Sequence, residues 1–320
     1  MLIIQKFGGS SLADGERIKR AGEICAAAKR RGDRVAVVVS AMGKTTNELT
    51  ALADTLCPLP PPRELDALLS TGEQQSAALL AAMLNKMNVP ALSFTGRQAG
   101  IVTDGHYGSA EVLTVETGAL EDALERGFVP VVCGFQGATP AGDITTLGRG
   151  GSDTTAVILS AALRAGKCEI YTDVDGIYTA DPRTVPDARR LEKIDSRDML
   201  LLSRAGSKVL HYKSVEQAIR GGVEIELLSS FHRGGGTLVC PLEEKDRPLL
   251  AGMTGRAEAG EISVIGRGAD SSVLSEAVLA LGKGGLETLS GSVGDSQICL
   301  RVPPDSFREG MNAVHGALFI

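Results

Sequence analysis

The residues best suited to chemistry stand in two glycine turns, each set between an apolar run and a helical pattern. The first is Thr145-Thr146-Leu147-Gly148-Arg149-Gly150-Gly151-Ser152-Asp153. Its glycines lack Cβ atoms, so backbone N–H groups can approach a ligand, and the following helix start adds its positive dipole end. Arg149 contributes a planar fork of donors that matches a carboxylate or phosphate. The second turn is Lys6-Phe7-Gly8-Gly9-Ser10-Ser11, after the apolar residues 2–4. Either turn alone serves equally well as a plain connection. Together they point to anion binding, and the chemistry they suit is phosphoryl transfer. That reaction asks a protein for amide donors, fixed cations and an oriented acceptor, and little else.

Further candidates surround these turns. Lys208, in Gly206-Ser207-Lys208-Val209-Leu210-His211, is a second lysine to place at phosphates, or a surface lysine. Thr172-Asp173-Val174-Asp175-Gly176-Ile177-Tyr178 follows a strand-like run and sets two carboxylates and an aromatic at a strand end, where open α/β sheets bind ligands. An Asp-Gly turn with solvated acids explains it too. Arg183, in Asp181-Pro182-Arg183, either reaches phosphate or caps its own loop. Ser40-Ala41-Met42-Gly43-Lys44-Thr45-Thr46 is no Walker loop, because the first required glycine falls on Val38, yet its hydroxyls can meet a ligand. Ser70-Thr71-Gly72-Glu73 puts an acid inside a long amphipathic pattern, either solvated or holding an ammonium group.

These residues need a frame. Strands are expected at 2–5, 34–39, 91–94, 129–133, 168–171 and 223–228, and helices at 13–31, 46–56, 63–87, 117–126, 153–165, 196–203 and 214–220. Runs such as Val35-Ala36-Val37-Val38-Val39 are apolar on both faces, which predicts a three-layer α/β/α sandwich with a mainly parallel central sheet. Aromatics make up only 3% of the chain and Trp is absent, so the core must be aliphatic. Pro58-Leu59-Pro60-Pro61-Pro62 is expected to be a stiff spacer. Composition shifts at Arg233-Gly234-Gly235-Gly236 and again over residues 243–248, giving expected domains at 1–245 and 246–320. The second reads as strand 261–266, helix 272–281, strands 286–293 and 297–302 and helix 304–318, a ferredoxin-like α+β outline suited to regulation or dimerisation.

The net charge of −6 argues against a nucleic-acid partner, which needs a basic surface. The six scattered cysteines have no metal-ligand spacing and read as small apolar residues in a reducing compartment. No apolar run reaches the roughly 20 residues of a membrane span, and no leader peptide is evident. A cytoplasmic protein without a membrane partner is the expectation.

The motifs above, with Thr95-Gly96-Arg97-Gln98-Ala99-Gly100 and Gly134-Phe135-Gln136-Gly137, closely resemble those of the aspartokinases in the amino-acid kinase superfamily, almost without gaps over residues 1–240. The resemblance implies an amino-acid kinase fold, ATP and Mg²⁺ as cofactors, L-aspartate as partner and 4-phospho-L-aspartate as product, on the lysine, threonine and methionine routes. By it Lys6 and Asp153 are catalytic, and Lys6, Gly8, Gly9, Ser10, Thr172, Asp173, Tyr178, Arg183 and Lys208 hold ATP. Ser40, Thr46, Glu73, Arg149, Gly150, Gly151 and Ser152 hold aspartate, Glu73 at its ammonium and Arg149 at its α-carboxylate. No protein-held metal is implied. Residues 246–320 resemble a single ACT module, where such enzymes usually carry two, and imply a homodimer through it.

Three departures stand out: Tyr212-Lys213 for a Pro-Arg pair, Leu228 for an arginine, and Ser271-Ser272-Val273 for Pro-Gly-Val at the ACT-like helix start that helps bind a feedback amino acid. Two other readings stay open, a sister kinase with another carboxylate acceptor and a non-catalytic ligand-sensing paralogue.

Overall fold

The computed structural model describes residues 1–232 and 234–320. Arg233, part of the first expected composition shift, lies outside them. In chain order the elements are β1 (Leu2–Phe7), α1 (Gly15–Arg30), β2 (Arg34–Val39), α2 (Thr45–Leu56), α3 (Pro62–Lys86), β3 (Ala91–Phe94), β4 (Ile101–Thr103), β5 (Val112–Val115), α4 (Gly118–Glu125), β6 (Val129–Cys133), β7 (Gln136–Ala138), β8 (Ile144–Thr146), α5 (Gly151–Ala162) and β9 (Lys167–Thr172). They continue with β10 (Lys193–Asp195), α6 (Ser196–Ala205), α7 (Tyr212–Gly221), β11 (Ile225–Ser229), β12 (Thr237–Cys240), β13 (Gly252–Arg256), β14 (Glu261–Ile265), α8 (Ser271–Lys283), β15 (Ser290–Gly294), β16 (Gln297–Arg301) and α9 (Phe307–Leu318).

Contacts divide the chain into two compact units, Met1–Asp175 with Glu216–Gly234 and Gly176–Val215 with Gly235–Ile320. That differs from one cut after residue 245. Residues 176–215 belong with the C-terminal part because they bond to it: Met253 N–H donates to the Thr179 carbonyl (2.7 Å), and the Thr179 hydroxyl meets His315 Nε2 (2.9 Å). A sequence scan marks linkers by composition, whereas these bonds join segments more than 70 residues apart.

In the first unit the strands run β11-β9-β1-β2-β6-β3, all parallel. Alternate side chains of each strand face opposite layers. Phe7, Val35, Val37, Val39, Val129, Val131 and Cys133 pack under α1 and α3 with Ile18, Cys25, Ala77, Leu80 and Leu84. Ile4, Ala36, Val38 and Val132, the intervening residues, are also fully buried, on the face where α4 and α5 lie against β6, β2, β1 and β9. The three-layer expectation is met, with a core of small aliphatics that lets helices approach closely.

Periodicity missed a second sheet in this unit, β5-β4-β7-β8. Its members are three or four residues long, too short for alternation to rise above noise, and Gly137 sits among them. A Cβ on Gly137 would meet the Thr103 side chain at 2.6 Å and the Ile101 carbonyl at 2.9 Å. Glycine there is what lets β7 lie beside β4.

The second unit holds the parallel pair β10-β12 and an antiparallel sheet, β13-β14-β16-β15. The expected β-α-β-β-α order is present, preceded by the additional strand β13, which pairs from Gly252↔Ile265 to Arg256↔Glu261. Strand β15 begins only at Ser290 rather than at Leu286, because Leu286 N–H instead closes α8 by donating to the Leu281 carbonyl (2.9 Å) after Gly285 turns left-handed (φ +71°). Ile262, Val264, Ile298, Leu300, Ala277, Leu281, Met311 and Val314 fill the space between this sheet and α8 and α9.

A buried ion pair anchors the start of α6. Arg247 Nη2 lies 2.7 Å from Asp198 Oδ1, with side-chain exposures of 6% and 0%. Truncating one partner strands the other charge away from water. Arg247→Met should therefore lower unfolding free energy by about 3–5 kcal/mol, read from urea midpoints at pH 7. An unchanged midpoint would contradict it.

Cys25, Cys133, Cys168 and Cys240 are buried, and burial pushes the Cys133 thiol up to about 12. Cys57 is exposed and Cys299 only half-buried, so the apolar-filler reading fits the other four. Among the described residues no helix is long and apolar enough to cross a membrane.

Candidate active site

Strand β1 lies at the centre of the parallel sheet, with β2 on one side and β9 on the other. Chain order reverses there, and at such a switch point the loops leaving the carboxyl ends of neighbouring strands part to form a crevice. Four candidate segments leave that edge: Gly8-Gly9-Ser10 after β1, Ser40 and Ala41 after β2, Gly134 after β6 and Asp173 after β9.

Lys6 is the last residue but one of β1 and points toward α5. Its Nζ lies 2.5 Å from Asp153 Oδ1, with both side chains largely buried. Asp153 falls in the first turn of α5, which begins two residues earlier than its apolar pattern suggested. The turn before it is left-handed at Gly148 (φ +72°) and Gly150 (φ +73°), and no side chain caps the helix. Gly151 N–H turns back to the Gly148 carbonyl (3.0 Å), which leaves the Ser152 and Asp153 N–H groups to face an anion. Arg149 stands exposed between those glycines.

The other loops crowd close. Gly8 N–H donates to the Tyr171 carbonyl (3.1 Å), and Gly43 N–H to that of Gly9 (3.0 Å). A Cβ on Gly9 would stand 2.8 Å from the Ala41 carbonyl, and one on Gly134 would meet Ser152 Cβ at 2.8 Å. These contacts bring Lys6, Gly8, Gly9, Ser40, Ser152 and Asp153 into one neighbourhood. Ser10 is fixed from outside, its carbonyl accepting from Arg17 Nη1 (2.6 Å). Thr172 donates its hydroxyl to Asp173 (3.0 Å). Thr46 occupies the first turn of α2.

Glu73 is buried within α3, 3% exposed. Its Oε1 accepts from Ala41 N–H (2.9 Å), while its buried Oε2 has no hydrogen-bond partner among the described residues. Burial pushes its carboxyl up to about 7, against the smaller opposing pull of the Ala41 amide. A buried carboxylate with one open oxygen is a receptor for a cation small enough to reach it, such as an ammonium group.

Tyr178, Arg183 and Lys208 belong to the second unit. There Arg183 forms a bidentate pair with Asp181 (3.0 and 2.8 Å), its loop-capping alternative, and Lys208 is exposed. Among the departures, Tyr212 opens α7 with its ring 4.6 Å from that of His211, Leu228 lies in β11, and Asp270 caps the start of α8 by accepting from Ser272 N–H (2.8 Å).

The sequence reading missed Asp66, and it quoted Gln136 within a motif without giving it a role. Asp66 is 1% exposed and Gln136 2%, and both brace the loops of this region: Gln136 Nε2 donates to the Ser70 carbonyl (2.9 Å). The available signal was an acid on the apolar face of the α3 pattern, seven residues before Glu73.

Comparison with known proteins matches residues 1–229 to the model of the amino acid kinase family. The chain is 43% identical over 324 aligned residues to the aspartokinase of Thermus thermophilus, covering 99% of this chain and 80% of that one. It is 47% identical over 272 residues to the aspartokinase of Mycobacterium tuberculosis, covering 83% of this chain but 64% of the longer relative. A crystal structure of E. coli aspartokinase III in complex with aspartate and ADP shares the fold at a TM-score of 0.86 over the full length of both chains, with 23% identity. The switch-point crevice, the two glycine turns and these matches lead to one conclusion: the chain belongs to the amino acid kinase family, among its aspartokinases.

Proposed function

We propose that this chain is an aspartate kinase, moving the γ-phosphoryl group of ATP onto the side-chain carboxylate of L-aspartate. The observation that carries the reading is Lys6 Nζ held against Asp153 at the head of α5, at the carboxyl end of β1. The E. coli relative, in complex with aspartate and ADP, adds support.

In this reading the phosphates lie over Gly8, Gly9 and Ser10 and against the start of α5, with Thr172 and Asp173 alongside. Lys6 stabilises the negative charge of the transferring phosphoryl, and Asp153 holds Lys6 in place. Glu73 takes the substrate ammonium, Arg149 its α-carboxylate, and Ser40, Thr46, Gly150, Gly151 and Ser152 complete the acceptor pocket. A side-chain carboxylate oxygen then bonds to the γ-phosphorus as the bond to the β,γ-bridging oxygen breaks, and ADP leaves. A negatively charged acceptor approaching a negatively charged phosphate needs such cations.

No three His, Cys, Asp or Glu side chains gather as a metal site among the described residues. That sparse donor set fits a Mg²⁺ carried in on the nucleotide, as is usual for this ion, with Asp173 the carboxylate offered by the loop after β9. Bound there, it supplies charge neutralisation.

Residues 246–320 serve as an ACT-type module that pairs two chains in the cytoplasm. Sedimentation equilibrium should return twice the mass of one chain; the mass of a single chain would end that part of the reading. The activity itself is tested with aspartate, ATP and hydroxylamine. Aspartyl hydroxamate should form at saturating substrate and depend on Lys6, and its absence from the unaltered chain would refute the assignment.

A further inference from the structure

Asp66 is buried in the second turn of α3 and is not among the residues assigned to either ligand. Its carboxylate accepts three hydrogen bonds from two separate segments. Thr146 gives two of them, from its N–H to Oδ2 (2.7 Å) and from its hydroxyl to Oδ1 (2.7 Å), and Gly108 N–H gives the third, to Oδ2 (2.9 Å). The Thr146 carbonyl accepts in turn from Ala110 N–H (2.9 Å). Every backbone and side-chain polar group of Thr146 is therefore fixed.

Thr146 is the last residue of β8, and Arg149 follows three positions later. Between them Leu147 N–H donates to the Phe135 carbonyl (2.8 Å), and a Cβ on left-handed Gly148 would stand 3.0 Å from the Gly108 carbonyl. The turn that carries Arg149 thus starts from Thr146 and passes beside Gly108, both bonded to Asp66, and has one further hold at Phe135 that is independent of it. Seven residues along the same helix stands Glu73, two turns on and nearly on the same face. One rigid element therefore holds the Glu73 carboxylate directly and Arg149 at one remove.

We propose that Asp66 is a positioning residue: it sets where Arg149 meets the substrate's α-carboxylate relative to the Glu73 oxygen that meets the ammonium. The inference rests on the aspartate kinase reading and deepens it. A charged acceptor is needed because three donors converge where no water reaches. Two of them share one oxygen, and the other oxygen takes a hydroxyl. An amide at this place offers only one acceptor atom and turns an N–H toward donors. Loosening an exposed arginine turn changes where the guanidinium spends its time. The ATP-binding turn after β1 is held by other bonds and stays in place.

The test compares the unaltered chain with Asp66→Asn, Thr146→Val and Thr146→Ser. The KM values for aspartate and ATP, kcat and the thermal midpoint are measured for each. Asp66→Asn should raise KM for aspartate by about tenfold or more, since small misplacements of a binding group carry such factors, with KM for ATP within about twofold. Thr146→Val should raise KM for aspartate by about threefold, the effect of one lost hydrogen bond, and Thr146→Ser should restore it. A general loss of structure would move both KM values and kcat with the midpoint and would not be rescued by serine. Equal rises in the two KM values, or an unchanged KM for aspartate in both Asp66→Asn and Thr146→Val, would overturn the proposal. Inactivity of the unaltered chain would instead overturn the kinase reading itself.

Discussion

Replacing Lys6 by alanine should lower kcat by about 10³-fold, the scale on which a preorganised transition-state donor acts in a water-poor site. Lys6 is 7% exposed, and a Cβ on Gly8 would stand 3.5 Å from its Nζ. Its ammonium meets Asp153 at 2.5 Å, so the truncation also leaves a carboxylate without its cation. Two effects are then mixed, catalysis and stability, and a double variant separates them. Lys6→Ala with Asp153→Asn removes the stranded charge, so its thermal midpoint should recover toward that of the unaltered chain. Its kcat should not. Asp153→Asn alone keeps the cation and loses only its tether, and should cost about tenfold. Steady-state rates with saturating ATP and aspartate decide the matter. If Lys6→Ala retains a tenth of the rate, the charge at the transferring phosphoryl comes from elsewhere.

Glu73→Gln should raise KM for aspartate by about 100-fold at pH 8, the effect of removing one member of a buried charge pair. The same change should stabilise the free protein. Burial lifts the Glu73 carboxyl from its ordinary 4.5 to about 7. Between those two values the folded chain keeps a proton that the unfolded chain has released. Stability therefore falls as pH rises from about 4.5 to 7 and levels off above, because the unfolded state binds fewer protons. Glutamine carries no such penalty, and a gain on the order of 2 kcal/mol at pH 8 is expected. It should vanish near pH 4.5. Substrate binding runs the other way: the ammonium needs the carboxylate ionised, so KM for aspartate in the unaltered chain should drop as pH rises through about 7. In Glu73→Gln that inflection should be missing. A variant that is no more stable at pH 8 would mean that burial does not raise the Glu73 carboxyl, and one that keeps the inflection would mean that Glu73 does not hold the ammonium.

The strands that carry the site were legible because they are apolar on both faces and five or six residues long. Observed β2 and β6 coincide with the expected ranges 34–39 and 129–133. The glycine turns were legible for a chemical reason: amides cannot reach an anion past a Cβ. The sheet β5-β4-β7-β8 was not, since its strands are too short to show a period and are held by partners elsewhere in the chain. The domain division escaped for a related reason. Composition shifts after residue 232, but the contacts of residues 176–215 lie with segments beyond residue 235.

By itself, then, the sequence determined that two amide-rich turns follow buried parallel strands and that a lysine, an arginine and several acids lie beside them. Those are properties of local pattern and residue type. The fold decided what each charge does. Lys6 meets an aspartate 147 positions away, Glu73 loses its water to a loop after β2 and is left with one open oxygen, and Asp66 becomes a brace for the arginine turn. Charge strength and position depend on which distant groups exclude water and which donate hydrogen bonds, and only packing brings those groups together.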